Sequence, residues 1–194
     1  MDDKLYDYLI ARRSIRRFKQ KKVSRDLLDK MINAARLAPS AANLQPLEFI
    51  VVDDKKACEN IFEALSWAAY LKDWSPSIDE SPMAYIIILV KDKKNPWILR
   101  DVSFAAANIV TTAEAEGLGS CILCKINKEK IRETLKIPEE TMIDSVVALG
   151  YKAEKAVVED LTDSVKYWKD ENQVIHVPKR KLENITHYNS YKKL

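Results

Sequence analysis

The sequence predicts a single domain of the α/β or α+β class, built around one sheet, and three observations support this. A chain of 194 residues has the length of one domain. Hydrophobic residues make up 47% and charged residues 31%, which is the balance of a globular protein. Segments with helical spacing of apolar residues alternate with short apolar runs typical of strands. This periodicity leaves the strand order open.

Two helices are predicted near the start of the chain, over residues 3–12 and 25–37. In the second helix the apolar side chains recur at helical spacing. They are Leu27, Leu28, Met31, Ile32 and Ala35. Ser24 is the candidate N-cap, and Pro39 ends the helix because proline cannot continue it.

A loop over residues 38–46 follows and is bounded by two prolines. After it, Phe49–Val52 is predicted as a strand and residues 55–66 as a helix. Residues 67–82 contain three aromatic residues and two prolines and are expected to form an irregular loop.

The second half of the chain begins with Ala84–Val90, which is apolar at every position and therefore predicts a central strand. A helix is predicted over 99–116, and twelve of its residues, 102–113, carry no charge. A helix that is apolar on most sides must be buried on most sides. We therefore expect it in the middle of the molecule or at a dimer interface.

Three further elements complete the predicted core: a strand Ser120–Ile126, a helix 128–135 capped by Asn127, and a strand Ser145–Leu149. The tail after Pro178 is polar and basic but keeps four apolar residues at roughly helical spacing. They are Leu182, Ile185, Tyr188 and Tyr191. Such a tail needs a surface on which to pack.

Composition also restricts the class of protein. No segment approaches the ~20 apolar residues that span a bilayer. The first residues lack the basic-then-apolar order of a signal peptide, and three cysteines are too few for a disulfide scaffold. We therefore expect a soluble cytoplasmic protein.

The net charge is only +3, but the basic residues are concentrated in two clusters. Eight lie between Arg12 and Arg25 with no acid among them. The tail adds Lys179, Arg180, Lys181, Lys192 and Lys193 against Glu183 alone. Guanidinium groups suit phosphate because they donate paired hydrogen bonds and stay charged. An anionic ligand is one interpretation; a solvated basic surface and a nucleic-acid patch are the others.

The loop 38–46 combines small residues with Asn43 and Gln45, whose amides can both donate and accept hydrogen bonds. This suits the polar edge of an uncharged ring. A plain helix-to-strand turn is the alternative.

Cys121 and Cys124 have the spacing of a thiol redox pair but lie in a predicted strand. Residues three apart in a strand point to opposite faces, with Cα atoms about 10 Å apart, beyond the roughly 7 Å limit for a disulfide. No zinc site is expected either, since His176 and His187 lack a suitable spacing and the sequence contains no second cysteine pair.

Taken together and in this order, five segments resemble the nitroreductase-like FMN-dependent NAD(P)H oxidoreductases. They are Arg12–Phe18, Pro39–Pro46, Phe49–Val52, Ala105–Cys121 and Arg180–Ile185. The resemblance implies one α+β domain over residues 1–194, an α/β sandwich whose mixed central sheet is flanked by helices. It also implies an intertwined homodimer in which the tail, residues 178–194, is exchanged and packs on the partner subunit.

The resemblance further implies an FMN site built from both subunits. The phosphate, ribityl chain and pyrimidine edge would be held by Arg12, Arg13, Ser14 and Arg16. The tail would close on the phosphate with Lys179, Arg180 and Lys181. The partner would contribute Pro39, Ser40, Ala41, Asn43 and Gln45. Backbone groups of Ile122, Leu123 and Cys124 would face the ring.

The implied activity is hydride transfer from NADH or NADPH, through FMN, to a small planar acceptor of the nitroaromatic, quinone or flavin type. No protein nucleophile, acid–base pair or metal is required, because the flavin carries the chemistry. Residues 66–82 would be a lid or variable loop, with Trp67, Tyr70 and Trp74 against flat acceptors. Dehalogenation, flavin breakdown, and a non-catalytic flavin-binding or nucleic-acid-binding role are the alternatives.

Overall fold

The computed structural model describes residues 4–71, 74–92 and 94–191. Five strands form the main sheet: β1 (Phe18–Lys19), β2 (Leu47–Val52), β3 (Ala84–Val90), β4 (Leu118–Leu123) and β5 (Met142–Lys152). Their pairings are antiparallel. β5 pairs with β3 along one edge and with β4 along the other, which gives the order β2–β3–β5–β4, and β1 pairs with the end of β5.

Five α-helices accompany this sheet: α1 (Lys4–Ala11), α2 (Arg25–Arg36), α3 (Lys55–Phe62), α4 (Ile98–Ala115) and α5 (Lys128–Leu135). Helices α2 and α4 pack on one face of the sheet, and α3 and α5 contribute to the core on the other. Alternate residues of β3 therefore point into two different cores, with Ile86 and Ile88 on the α4 side and Tyr85 and Ile87 on the α3 side. This double burial confirms the prediction of a central strand.

A second, small sheet follows the main one in the chain. It contains β6 (Ala156–Asp160), β7 (Trp168–Lys169) and β8 (Ile175–Lys179). β6 and β8 are parallel, whereas β7 and β8 are antiparallel. Parallel and antiparallel pairing, which was expected in the central sheet, is therefore combined in this small sheet, while the named strands of the main sheet pair antiparallel. None of its strands is among the elements predicted from the sequence.

The predicted elements are present, with shifted ends. The helix expected over 55–66 ends at Phe62, and the strand expected over Ser120–Ile126 spans Leu118–Leu123. β5 spans Met142–Lys152, six residues more than the predicted strand Ser145–Leu149, and it pairs with three neighbouring strands. Asn127 caps α5, accepting a hydrogen bond from the Lys130 N–H at 3.0 Å. Ser24 occupies the N-cap of α2, but its side chain makes no capping hydrogen bond.

Within one chain helix α4 is buried on one side, and burial of its other side at a dimer interface stays a prediction. Ala105, Ile109 and Ala113 lie in the core. On the opposite side Leu99 is 68% exposed and Phe104 50% exposed. Within one chain the helix therefore presents an apolar face that nothing covers among the described residues.

Beyond β8 the described part of the tail contains a single 3-10 turn, Leu182–Asn184, and no α-helix. Its four apolar residues, Leu182, Ile185, Tyr188 and Tyr191, are exposed. Lys192 and Lys193 lie outside the described residues. Among the helices of the described ranges, none combines the length and the hydrophobicity needed to cross a membrane.

Candidate functional site

The basic stretch that follows α1 runs along the free edge of β4. The Ile15 N–H donates to the Ser120 carbonyl at 2.9 Å, and Ser14 forms a parallel bridge with Ser120. Ile15 and Phe18 are buried and hold the stretch against the sheet. A segment with four arginines is therefore fixed by its two apolar side chains.

Two glycines make this attachment possible. Gly119 of β4 and Gly150 of β5 are directly paired across the sheet. A Cβ on Gly119 would lie 2.8 Å from Ile15 Cγ2, and a Cβ on Gly150 would lie 2.9 Å from Phe18 Cδ1. Ile15 and Phe18 thus occupy the space that side chains at these two positions would fill.

A cavity of about 720 Å³ opens between this edge of the sheet and α4. Its sheet side is lined by Arg12, Ser14, Ser120, Ile122, Cys124, Asp144 and Ser145. Its helix side is lined by Leu99, Val102, Ser103, Ala106, Ala107 and Val110. The volume falls within the range of about 300–1,000 Å³ that small-molecule sites occupy. The cavity has one polar wall, which carries the cation Arg12 and the carboxylate Asp144, and one wall of small and apolar residues.

Arg12 and Asp144 lie on the same wall of the cavity but form no ion pair with each other. No carboxylate among the described residues forms an ion pair with Arg12. Burial, followed by the neighbouring charge of Arg12, lowers the pKa of Arg13, and Glu114 opposes this only in part. An anion placed beside these two guanidinium groups would relieve their mutual repulsion.

Two buried polar atoms near this wall lack partners among the described residues. Ser145 is 1% exposed and lines the cavity, and its Oγ makes no hydrogen bond. The Arg13 Nε is likewise buried without an acceptor. Buried polar groups in folded proteins nearly always have a partner, so both atoms are suited to contact a ligand.

The proline-bounded loop 38–46 does not line this cavity. Pro39, Ser40 and Ala41 line a separate cavity of about 250 Å³ beside the exposed face of α4. The backbone φ of Ala42, Asn43 and Gln45 is positive, at 49°, 55° and 49°. Non-glycine residues adopt this left-handed conformation only where surrounding contacts impose it.

One such contact is made by Asp101 of α4, which is 3% exposed. Its Oδ1 accepts a hydrogen bond from the Ala41 N–H at 2.9 Å, while its Oδ2 is buried without a partner in the described chain. Ser40 adds a second contact by accepting from the Gln45 N–H at 3.1 Å. The loop is therefore held at both ends of its left-handed stretch.

We expect Asp101→Ala to lower the free energy of unfolding by about 1–2 kcal/mol, since a hydrogen bond to a charged acceptor is lost. Asp101→Asn keeps an oxygen that can accept from Ala41 and should retain at least half of that stability. Urea unfolding of the two variants tests this. Equal losses in both would mean that the charge, not the hydrogen bond, holds the loop.

The basic tail residues also lie apart from the cavity of this chain. Lys179 belongs to β8, where it pairs with Asp160 of β6. The Arg180 guanidinium donates to the Asn184 carbonyl, and the Lys181 Nζ lies 3.4 Å from the Asp160 carboxylate. The three side chains are exposed on the small sheet and its continuation.

The three aromatic residues expected in the lid contact other parts of the chain. The Trp67 ring lies 5.8 Å from the Phe62 ring, and Trp67 packs against the core on the α3 side. Tyr70 contacts Tyr167, and Trp74 lies beneath the Lys169 ammonium group. Lys72 and Asp73, which fall between them, are outside the described residues.

The two cysteines in β4 and directly after it differ in burial. Cys121 is buried in the core, whereas Cys124 is exposed and lines the cavity. Both are free. Burial raises the pKa of both thiols, the opposite of what a redox-active thiolate requires.

A second cavity of about 750 Å³ lies beside the start of α3. It is lined by charges of both signs, and Arg25 already pairs with Asp53 there at 2.7 Å. Burial raises the pKa of Cys58, which lines it, to about 12, so this thiol is protonated at neutral pH. None of the residues proposed from the sequence lies in this cavity, and its charges are largely balanced.

Comparison with known proteins identifies the family. The model of the Nitroreductase family matches residues 9–151, which include the basic stretch, the proline-bounded loop, α4 and the main sheet. The chain belongs to the Nitroreductase family.

Named relatives agree with this membership. A Methanothermobacter thermautotrophicus protein named NADH dehydrogenase/NAD(P)H nitroreductase is 35% identical over 160 residues, which cover 79% of this chain and 80% of that protein. An iodotyrosine deiodinase of Thermotoga neapolitana is 26% identical over 76% of this chain and 88% of its own length. The solved structure of an FMN-dependent nitroreductase from Clostridium difficile superposes with a TM-score of 0.70, at 28% identity, covering 96% of this chain and 99% of that one.

In this member of the Nitroreductase family, sequence reasoning missed several residues of the cavity. Asp144 and Ser145 stand at the start of β5, where two polar residues precede an apolar run, and this break in pattern is a usable signal. Asp101, which contacts the loop and does not line this cavity, is the acid in the first turn of α4, directly before the uncharged run 102–113. The side chain of Leu123 points into the core, so only its backbone could face a ligand.

Proposed function

We propose that this nitroreductase-family chain is an FMN-dependent oxidoreductase that transfers hydride from NADH or NADPH to a small planar acceptor. The observation that carries the proposal is the cavity beside β4. There Arg12, which forms no ion pair among the described residues, and Ser14 supply a positive charge and a hydroxyl group opposite the apolar side of α4. A ligand with a phosphate at one end and a flat ring system at the other matches such a site.

The residues present fit FMN in charge, in volume and in unsatisfied polar atoms. Arg12 and Arg13 lie close enough to repel each other, and a phosphate would neutralise them. The Ser145 Oγ is an unpartnered polar atom on the cavity wall. The cavity of about 720 Å³ is large enough for a ligand of this class.

We further propose that two copies of the chain form a homodimer through the exposed face of α4. Leu99 and Phe104 on that face would be covered, as large exposed apolar patches usually are. The loop residues Pro39, Ser40, Ala41, Asn43 and Gln45 would then complete the partner's site. The tail, residues 178–194, would pack on the partner and bring Lys179, Arg180 and Lys181 toward the phosphate.

The bound flavin would supply the hydride chemistry between nicotinamide and acceptor. The chain's own residues hold and orient it. Arg12 and Ser14 bind the anionic end, Arg13 and Arg16 place positive charge nearby, and backbone groups of Ile122, Leu123 and Cys124 face the ring. Trp67, Tyr70 and Trp74 of residues 66–82 are proposed to contact the acceptor.

The decisive experiment is visible spectroscopy of the purified protein. We expect a yellow protein with FMN bound, whose visible flavin absorption bleaches with NADH or NADPH and returns with a quinone. Mass analysis of the heat-released chromophore should identify FMN. A colourless monomer that takes up no FMN would contradict the proposal.

A dehalogenating or flavin-degrading activity on the same fold is the second candidate, favoured by the deiodinase relative. It predicts a bound flavin that dithionite reduces but neither nicotinamide does. Salt-dependent nucleic-acid binding without flavin would instead favour the basic stretch as a nucleic-acid patch.

A further inference from the structure

Tyr167 lies between two residues of the proposed site that are far apart in sequence. The Arg16 guanidinium carbon lies 4.8 Å from the centre of the Tyr167 ring. The Tyr70 ring lies 5.1 Å from the same ring at an interplanar angle of 58°, and the Tyr70 N–H donates to the Tyr167 hydroxyl at 3.4 Å. One side chain thus contacts both a proposed flavin-binding cation and a proposed acceptor-contacting ring.

Tyr167 belongs to residues 161–174, which we call the insert because they connect β6 to β8 of the small sheet. The insert is anchored away from the cavity. The Trp168 ring stacks on His176 at 4.2 Å and 17°, and its Nε1–H donates to Glu159 at 2.8 Å. His176 contacts Glu159 at 3.1 Å and Asp170 at 3.4 Å. The position of Tyr167 is therefore set by the small sheet rather than by the residues it contacts.

A second contact links the insert to residues 66–82. The Lys169 ammonium group lies 4.6 Å from the centre of the Trp74 ring. Two neighbouring positions of the insert, 167 and 169, therefore reach two of the three aromatic residues proposed to contact the acceptor. The contact between Tyr167 and Tyr70 is thus one of two that join the insert to residues 66–82.

Arg16 depends on this ring for its orientation. Its backbone N–H donates to the Glu154 carboxylate, which fixes the main chain. Its Nε is buried without a hydrogen-bond partner among the described residues. A cation over an aromatic face is attracted to it, so the Tyr167 ring holds the guanidinium group, whose Nε–H still lacks an acceptor among the described residues.

We propose that Tyr167 is a positioning residue that sets selectivity for flat aromatic acceptors. It holds the Arg16 cation beside the flavin and holds the Tyr70 ring, which is 50% exposed, where a planar acceptor can stack. This inference rests on the proposed function, since it assumes bound FMN and an acceptor that stacks.

The test compares Tyr167→Ala, Tyr167→Phe and the parent as dimeric holoenzyme, with a naphthoquinone and with ferricyanide as acceptors. We expect Tyr167→Ala to raise the naphthoquinone KM about five- to tenfold, from the usual strength of aromatic and cation–π contacts. The ferricyanide KM should change less than about twofold, because this acceptor has no ring to stack. Tyr167→Phe keeps the ring and should stay within about twofold of the parent for both.

Val165→Ala, an exposed position in the same insert, is the matched control and should leave both KM values unchanged. If Tyr167→Ala fails to fold, Tyr70→Ala removes the other ring of the pair and should give the same selective rise. Unchanged naphthoquinone KM with full FMN content would overturn the inference and leave the proposed function intact. A parent protein without FMN would instead overturn the proposed function itself.

Discussion

Replacing both Arg12 and Arg16 with alanine is expected to weaken FMN binding by roughly a hundredfold or more. Hydrogen bonds to charged groups contribute about 1.5–3 kcal/mol each, and two of them correspond to at least about 3 kcal/mol of binding free energy. Arg12 lines the cavity without an ion-pair partner among the described residues, and Arg16 contacts Tyr167. The free energy of unfolding of the apo-protein should therefore fall by about 1 kcal/mol at most.

Fluorescence titration with FMN at constant ionic strength measures the affinity. Thermal melts of the apo-proteins measure their stability. The control is the double variant Lys19→Ala with Lys22→Ala. It also removes two positive charges from the basic stretch, and both residues are exposed. This control should bind FMN within about threefold of the parent, since distant exposed charges are screened. Equal FMN affinity in the arginine variant and the parent would disprove the phosphate assignment.

Gly119→Ala is expected to destabilise the protein by about 2–3 kcal/mol and to weaken FMN binding as well. The new Cβ would lie 2.8 Å from Ile15 Cγ2, 2.9 Å from Ile15 Cβ and 3.0 Å from Lys152 Cγ. Ile15 is buried and branched at Cβ, so it cannot turn away without leaving its place on the sheet. Its displacement would move the stretch that carries Arg12 and Ser14.

Gly117→Asn is the matched control in the same region. Gly117 has a φ of +73°, but a Cβ there would meet no atom within 4 Å. Asparagine tolerates this left-handed conformation better than other residues with a side chain. Chemical denaturation should show a loss below about 1 kcal/mol for this variant, with parental FMN affinity. A Gly119→Ala protein as stable as the parent would show that the stretch is not packed on β4 as described.

Local patterns predicted most of the secondary structure, because an element's periodicity depends on its own residues. The apolar run Ala84–Val90 and the capped helix 128–135 are examples, and both are present. The small sheet was not predicted because its strands are short and little buried: β7 has two residues, and none of the five residues of β6 is fully buried. Such strands form through pairing with distant residues, as Val157 does with His176.

The candidate site was likewise predicted only in part from the sequence. The motifs around Arg12, Pro39 and Gly119 were enough to indicate the family and, through it, FMN. The sequence did not indicate Ser145 as a cavity residue, nor Asp101 as the anchor of the Ala41 loop. These roles follow from which elements lie opposite each other, and no motif within one segment records that.

By itself the sequence determined the helices, the central strand, the uncharged run 102–113 within α4 and the presence of two basic clusters, because each follows from residue types at short spacing. Only the tertiary structure decided which face of α4 stays exposed and that Arg12, Ser14, Cys124 and Ser145 border one cavity. It also decided that Tyr167 lies between Arg16 and Tyr70. The physical reason is that strand pairing and helix packing join residues through contacts whose energy depends on the whole fold, not on neighbours in the chain.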